Sequence, residues 1–346
     1  MATNTSILAI DIGAGTQDIL LYEPGQTVEN CVQLILPSPT VVLARQVQEA
    51  TAERRPLWLA GHLMGGGALV WAVRQHVAAG LSAYATPAAA LTLHDDLEQV
   101  AAMGVQLAVA PPPRAAVVTL RDVDLDTLAR SLTPYGVALP PTVAVAAQDH
   151  GFSPRASNRL FRFALWRAFV DEGGEIGNLL YEEPPASQTR LWAVREDAPG
   201  AYVMDTGAAA IWGALCDERA AARRGDGLIV LNVGNAHTIG VLLRGTRVYG
   251  LFEHHTGALS GARLGELVEK LQAGTLTHDE VFAEGGHGAY LAPGFAAGEG
   301  YRFVAVTGPN RALARELGYY EAVPFGDMML AGCFGLVAAV EARLAQ

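Results

Sequence analysis

The sequence has few cysteines and almost no lysine. Its three cysteines, Cys31, Cys216 and Cys333, lie far apart, so it contains no CxxC pair, zinc framework or iron–sulfur run, and a reducing compartment is expected. The only lysine is Lys270. A P-loop is therefore excluded, because its GxxxxGK(S/T) pattern places a lysine on the phosphates and the glycine-rich segment Gly61 to Gly67 has none.

Long hydrophobic runs and positive charge are also scarce. No run approaches the roughly twenty apolar residues that a membrane span needs, and Met1 to Ser6 lacks the basic and apolar regions of a signal peptide. The formal net charge is −11, and aromatic residues interleaved with basic ones are missing, so binding to nucleic acid is not expected. These absences predict a cytoplasmic protein with no membrane and no nucleic-acid partner.

The chain is long and rich in apolar residues. The 346 residues are 51% hydrophobic and 17% charged, which indicates large buried cores. Because a chain of this length exceeds what one core usually serves, at least two domains are expected. Alternating apolar segments and helical stretches predict an α/β first domain over residues 1–147, and a change of composition marks residues 148–200 as an insertion before a second domain over 201–346.

A glycine turn between two apolar runs lies near the start of the chain. Ile7 to Ile10 and Ile19 to Tyr22 predict two strands, and Gly13 and Gly15 allow a tight turn between them. Backbone amides at such a turn can approach an anion, although a plain hairpin is an equal alternative. A Rossmann turn is excluded because the third glycine is missing and a strand follows. Three side chains can hold a hydrated cation or a nucleophilic water: Asp11, Thr16 and Asp18.

A second copy of this pattern favours the phosphate-binding interpretation. Leu228 to Gly245 aligns with the first hairpin without a gap, so that Asp11 falls on Asn232 and Gly13 on Gly234. A strand, turn and strand repeated roughly two hundred residues apart predicts a duplicated domain, with one turn from each half facing a shared cleft.

Two helices of small apolar residues are predicted in the second half. One is capped by Asp205 or Thr206, and the other runs from Gly326 to Leu344 with Asp327 at the capping position. In the insertion, three arginines at helical spacing are compatible with binding of a small anionic substrate or with a solvated helix face, of which the second is the more common for a charge run: Arg155, Arg159 and Arg162.

Taken together, these segments resemble the actin, Hsp70 and sugar-kinase superfamily of nucleotide-binding proteins, and the resemblance covers nearly the whole chain. No single segment is specific, but five arrive in the family's order. They resemble its first phosphate motif, first connecting helix, second phosphate motif, adenosine motif and second connecting helix: DIGAGTQD at Asp11 to Asp18, DTGAAAIWGALCD at Asp205 to Asp217, NVGNAHT at Asn232 to Thr238, AVTGPNRALARELG at Ala305 to Gly318, and GDMMLAGCFGLVAAVE at Gly326 to Glu341.

The resemblance implies an α/β fold of the duplicated RNase H-like (actin-like ATPase) type, with two lobes around a cleft that binds ATP and Mg²⁺. Asp11 would anchor the metal through water, and Asp205 would hold Mg²⁺ or the attacking water. Catalysis by positioning and charge neutralisation needs no lysine. The residues implied in nucleotide binding are Gly13, Gly15, Thr16 and Asp18 in the first turn, Gly234 and Asn235 in the second, and Gly308 and Asn310 at the base and ribose.

One departure from the family pattern bears on catalysis. Asn232 stands where many members have an acidic residue, and a neutral amide cannot take a proton. The site could instead use another ligand, since His237 lies near the His254 and His255 pair in sequence, but ordinary hydrogen-bonded histidines are the more common outcome. Adjacent histidines on a strand point to opposite faces, so the pair cannot act together unless the strand has ended.

The leading hypothesis is an ATP-dependent phosphotransferase or ATPase whose unidentified acceptor is bound by the insertion. The alternatives are a non-catalytic nucleotide-binding regulatory module, which Asn232 favours, and an activator of a partner enzyme. A narrower resemblance is to a prokaryotic branch labelled pyruvate formate-lyase activating-like. A radical enzyme of that kind needs clustered cysteines, which this sequence lacks.

Overall fold

The strands are short and fall into three sheets. A computed structural model describes residues 5–296 and 300–345, so the predicted domain termini at residues 1–4 and 346 lie outside the described residues. In chain order the strands of the described residues are β1 (Ile7–Ile12), β2 (Thr16–Tyr22), β3 (Val32–Pro37), β4 (Leu57–Gly61), β5 (Ala83–Ala85), β6 (Val105–Leu107), β7 (Ala116–Leu120), β8 (Thr142–Ala147), β9 (Leu180–Tyr181), β10 (Tyr202–Met204), β11 (Leu228–Val233), β12 (His237–Arg244), β13 (Arg247–His255), β14 (Gly288–Leu291), β15 (Phe303–Thr307) and β16 (Tyr320–Glu321).

The helices surround these sheets. In the same part of the chain they are α1 (Pro39–Ala52), α2 (Gly67–Ala78), α3 (Pro87–Ala90), α4 (Leu97–Ala102), α5 (Leu125–Leu132), α6 (Asn158–Asp171), α7 (Thr189–Asp197), α8 (Thr206–Ala214), α9 (Glu218–Ala221), α10 (Gly261–Ala273), α11 (His278–Ala283) and α12 (Ala331–Leu344). None of the helices in residues 5–296 and 300–345 has the length and apolar character to cross a membrane.

Two of the sheets have six strands and share one topology. Their orders are β3-β2-β1-β8-β10-β9 and β14-β13-β12-β11-β15-β16. In each, two antiparallel hairpins bring three consecutive strands together, and the first of the three pairs in parallel with a strand from later in the chain, β8 or β15. The predicted duplication is therefore confirmed, and the fold class is the expected α/β, RNase H-like (actin-like ATPase) fold with two lobes around a cleft.

Helices α8 and α12 join the two sheets. They pack against each other so closely that a Cβ on Gly213 would overlap the carbonyl oxygen of Ala331, and one on Gly335 would overlap that of Ala209. A single hydrophobic cluster includes Ala9 of the first sheet and Val230 of the second together with residues of both helices. The two lobes consequently share one continuous core.

The ends of these two helices differ in how well the sequence predicts them. Helix α8 has Asp205 as its N-cap, whose carboxylate accepts a hydrogen bond of 2.9 Å from the amide of Gly207. Helix α12 begins at Ala331 rather than after Asp327, so the predicted start is wrong. The carboxylate of Asp327 accepts instead from the amide of Met329 at 2.7 Å and closes a local turn before the helix.

The third sheet is a small parallel one inserted between β3 and β8. Its order is β6-β5-β4-β7, and it has a hydrophobic cluster of its own that lies within residues 43–120. The first six-stranded sheet also receives β9 and β10 from beyond residue 147, while α6 packs on β13 and β14 of the second sheet. The segment predicted as an insertion therefore contacts both lobes; its boundaries at residues 147 and 200 stay a prediction.

Candidate functional site

The two glycine turns are built alike and meet at the cleft. The amide of Gly13 donates to the carbonyl of Thr16, and that of Gly234 donates to the carbonyl of His237, each at 2.9 Å. The position that a Cβ would occupy on Gly15 is 3.5 Å from the side-chain nitrogen of Asn235, so the turns touch across the gap between the lobes. Together with β1 and β11 they border a cleft of about 400 Å³.

Asp11 and Asp18 face this cleft from neighbouring strands. They are directly paired in the register of β1 and β2 and both line the cleft. Thr206 donates its hydroxyl to Asp11 Oδ1 at 2.6 Å, whereas the buried Oδ1 of Asp18 has no hydrogen-bond partner within residues 5–296 and 300–345. Burial, assisted by nearby carboxylates, raises the pKa of each carboxyl to about 7.

This pair of carboxyl groups fits Mg²⁺. Mg²⁺ is usually bound in proteins by one or two carboxylates while it keeps several waters. Asp18 Oδ1 is a buried acceptor that a cation or its water would satisfy, and the Thr16 hydroxyl lies beside it. Helix α12 approaches the opposite side of Asp11, where a Cβ on Gly332 would overlap the carboxylate, so a glycine is required for this close approach.

Asp205 precedes the cleft-lining Thr206 at the start of α8, and its side chain is already paired. Its two oxygens accept hydrogen bonds of 2.8 and 3.1 Å from Arg162, which also binds Glu253 at 2.8 and 2.9 Å. Burial alone would raise the pKa of Asp205, but the ion pair with Arg162 holds it below its usual range. The role of Asp205 toward Mg²⁺ or water stays a prediction, and it would require this ion pair to open.

The three arginines of the insertion lie in different environments. Arg162 is buried between two carboxylates, so it is neither a solvated charge nor an unpaired receptor for an anion. Arg159 donates to the carbonyl of Gly286 at 2.9 Å, and Arg155 is exposed. Of the three arginines predicted to bind an anionic substrate or to form a solvated face, Arg159 and Arg162 thus tie helix α6 to the second lobe.

The predicted nucleoside residues lie beside the second turn. Gly308 has φ of +99°, and a Cβ there would overlap Val233 and crowd the side chain of Asn232, so the backbone at this point lines the cleft directly. Asn310 donates from its side chain to the carbonyl of Gly234 at 3.0 Å and braces the turn from behind. Of the two, Gly308 is the one that borders the open space.

Histidines from three distant segments meet at the insertion side of the cleft. His150, His237 and His287 have ring nitrogens that all lie within 4.8 Å of one another. The ring of His255 packs 4.7 Å from that of His237 and 4.9 Å from that of His287, so the adjacent His254 on β13 lies on the opposite face of the strand. The sequence interpretation grouped His237 with His254 and His255. It did not connect His150 and His287 with His237, because no spacing motif joins them.

The duplicated sheets and the paired turns define a two-lobed protein of the actin-like class. Residues 64–313 match the family described as "Putative pyruvate format-lyase activating enzyme (DUF1786)", and the chain belongs to this family. A search of curated proteins found no match.

Several solved structures are similar to this chain at low identity. The ethanolamine utilization protein EutJ from Carboxydothermus hydrogenoformans is 10% identical over 98% of this chain and 91% of its own, with a TM-score of 0.35. A PilM-PilN type IV pilus biogenesis complex is 12% identical over 99% of this chain and 100% of its own, with a TM-score of 0.37. The ROK hexokinase from Thermus thermophilus is 10% identical over 98% of this chain and 98% of its own, with a TM-score of 0.32. Such values say nothing about the ligand of this chain.

Proposed function

We propose that this protein binds ATP with Mg²⁺ between its two glycine turns and acts as a phosphotransferase or ATPase. The observation that carries the proposal is the pair of carboxyl groups of the half-buried Asp11 and the buried Asp18, placed beside two equivalent turns that face each other across one cleft. Without a cation, two carboxylates paired on neighbouring strands repel each other, and a bound Mg²⁺ would remove that cost.

Each residue has a defined part in this proposal. Asp11 and Asp18 hold the hydrated Mg²⁺, which neutralises phosphate charge when bound. The backbone at Gly13, Gly15 and Thr16 contacts one part of the phosphate chain, and that at Gly234 and Asn235 contacts another. Gly308, whose backbone lines the cleft, borders the nucleoside, and Asn310 keeps the second turn in shape.

A second candidate function is a nucleotide-binding regulatory module without turnover, or an activator of a partner enzyme. The observation that favours it is that neither of two candidate positions offers a free carboxylate. Asn232 is neutral, and Asp205 is held by Arg162. In this case ATP would still bind and would bias how far the lobes close. The cytoplasmic location and a small anionic acceptor remain further proposals.

Calorimetry on the full chain tests the proposal. We expect ATP to bind in the presence of Mg²⁺, Asp11→Asn to abolish this binding, and Asp226→Asn, which changes an exposed aspartate outside the cleft, to leave it unchanged. A phosphate-release assay then separates an ATPase from a module that only binds. An absence of binding at millimolar ATP, or wild-type affinity in Asp11→Asn, would overturn the proposal.

A further inference from the structure

We propose that His150, His237 and His287 form a binding site for one divalent transition-metal ion of the zinc class, with a coordination position open to the cleft. The site is separate from the Mg²⁺ site and does not depend on nucleotide binding. We define these three residues as the histidine triad.

The triad is assembled by the fold. His150 follows β8 of the first lobe, His237 opens β12 of the second lobe, and His287 immediately precedes β14. The ring centroids lie 4.9 to 5.8 Å apart, and one nitrogen from each ring is within 4.8 Å of the others. Zinc–nitrogen bonds measure about 2.0–2.1 Å, so small side-chain rotations bring all three nitrogens onto one ion.

The triad has nitrogen atoms that are buried without partners. Among the described residues, Nε2 of His237 and both ring nitrogens of His287 accept and donate nothing. Buried polar atoms in folded proteins are nearly always paired, so the unpaired nitrogen of His237 and one of the two unpaired nitrogens of His287, which lie within 4.8 Å of each other, call for a missing partner. A metal ion would supply it.

The surroundings of His237 set its tautomer. Its Nδ1 lies 2.8 Å from Oε1 of Gln148, whose own amide nitrogen is 3.4 Å from Glu253. Because Oε1 can only accept, Nδ1 carries the proton and Nε2 keeps its lone pair free for a metal. A second ring nitrogen bonded in this way is the usual arrangement of metal-binding histidines.

The local charges suit a neutral imidazole ligand set. Burial, and to a smaller extent the charge of the nearby Arg162, lowers the pKa of His150 to about 3 and the pKa values of His237 and His287 far below their usual range. Arg162 would repel a cation, but its charge is balanced by Asp205 and Glu253. Three neutral imidazoles favour zinc, copper, nickel or cobalt over Mg²⁺, which prefers oxygen ligands.

The triad leaves one side of the ion open. His150 and His237 line the cleft, while His287 is fully buried behind them. Three protein ligands with water in the fourth position are typical of catalytic rather than structural zinc sites. An oxygen atom of a molecule bound in the cleft could replace that water, at the end of the cleft formed by the insertion.

Metal titration of the chelator-stripped full chain tests this proposal. We expect one Zn²⁺ or Co²⁺ per chain by elemental analysis and calorimetry, and a visible Co²⁺ spectrum without the charge-transfer band that a thiolate ligand gives. His237→Asn and His287→Asn should each weaken binding by at least tenfold. Gln148→Ala, which leaves all three ligands in place, should weaken it by about 10- to 100-fold.

Three controls keep the outcome decisive. His254→Asn changes a histidine on β13 that faces away from the triad, His94→Asn changes an exposed one, and both should bind Zn²⁺ as the wild type does. Asp11→Asn should lose Mg²⁺-dependent ATP binding but keep Zn²⁺, so the two proposals can fail separately. Binding of less than one ion at micromolar metal, or unchanged affinity in His237→Asn and Gln148→Ala, would overturn the proposal. If a triad variant does not fold, Gln148→Ala decides.

Discussion

At the scale of single residues, the candidate site holds a buried carboxyl group, that of Asp18, with an oxygen atom that no other described residue of the protein pairs. Asp18 is 8% exposed, and its Oδ1 finds no partner in residues 5–296 and 300–345. An unpaired buried charge costs free energy in the folded state. Functional sites commonly keep such groups because the ligand needs them, at the expense of stability.

Asp18→Asn should therefore stabilise the protein and impair its ligand binding. Without Mg²⁺ and at slightly alkaline pH, we expect the free energy of unfolding to rise by about 1–3 kcal/mol, because a neutral amide is less costly to bury than a carboxylate whose Oδ1 has no partner among the described residues. Urea unfolding measures this, with the exposed Asp226→Asn as control. Calorimetry with ATP and Mg²⁺ should show weaker binding. A loss of stability in Asp18→Asn would mean that the carboxylate has a stabilising partner.

The sequence predicts one part of the candidate site and misses the other for a physical reason. Asp11, Asp18 and the glycines of both turns belong to short local patterns, and a repeated local pattern can be recognised without a structure. The histidine triad has no such pattern. Its members come from three segments that only the pairing of the two lobes brings together. The same holds for the ion pair of Arg162 with Glu253, which lies 91 residues away in the sequence.

At the scale of secondary-structure elements, the α8–α12 contact determines how the lobes are joined. Gly213 and Gly335 let the two helix backbones touch, because any side chain at either position would overlap a carbonyl oxygen of the other helix. Interiors packed at this density do not accommodate even one added methyl group without displacement of the backbone.

Gly213→Ala should destabilise the protein by about 1–3 kcal/mol or more, although alanine favours helices over glycine by about 1 kcal/mol. The reason is that the new methyl group must push α12 away from α8. Thermal and urea unfolding measure the loss. Gly177→Ala is the matched control, since a Cβ at Gly177 meets nothing within 4 Å, and it should change stability little. Equal stability in the two variants would contradict the close contact.

Elements with strong local signals are the ones the sequence predicts well. Both hairpins and α8 follow from short apolar runs, a capping residue and glycines. The strands β9 and β10 have only two and three residues, too few for a periodic pattern. Helix α12 starts later than predicted because Asp327 closes a turn instead of capping the helix.

At the scale of the whole molecule, one hydrophobic cluster of the described residues is shared by both lobes, each lobe has a further cluster of its own, and the small sheet has a separate one. The two six-stranded sheets are joined through the cluster around α8 and α12, whereas the cluster of the small sheet stays within residues 43–120. Polar contacts attach the small sheet to α7, among them Asp122 to Arg190 and Asp197 to His62, each at 2.7 Å. Polar interfaces of this kind hold domains together less firmly than a common apolar core does.

The small sheet should therefore unfold separately from the joined lobes. We expect calorimetry to show two transitions, one for residues 39–120 and one for the rest, because no apolar cluster of the described residues spans both. Leu59→Ala, in the small-sheet core, should lower only the free energy of unfolding of residues 39–120. Leu231→Ala, equally buried in the second lobe, should lower only that of the rest of the chain. Each loss should be about 2–5 kcal/mol. A single transition that both substitutions shift equally would show that the polar contacts to α7 suffice to couple the two cores. The cleft, which the segments around the small sheet border through Met64 and Thr92, would then be part of one cooperative unit.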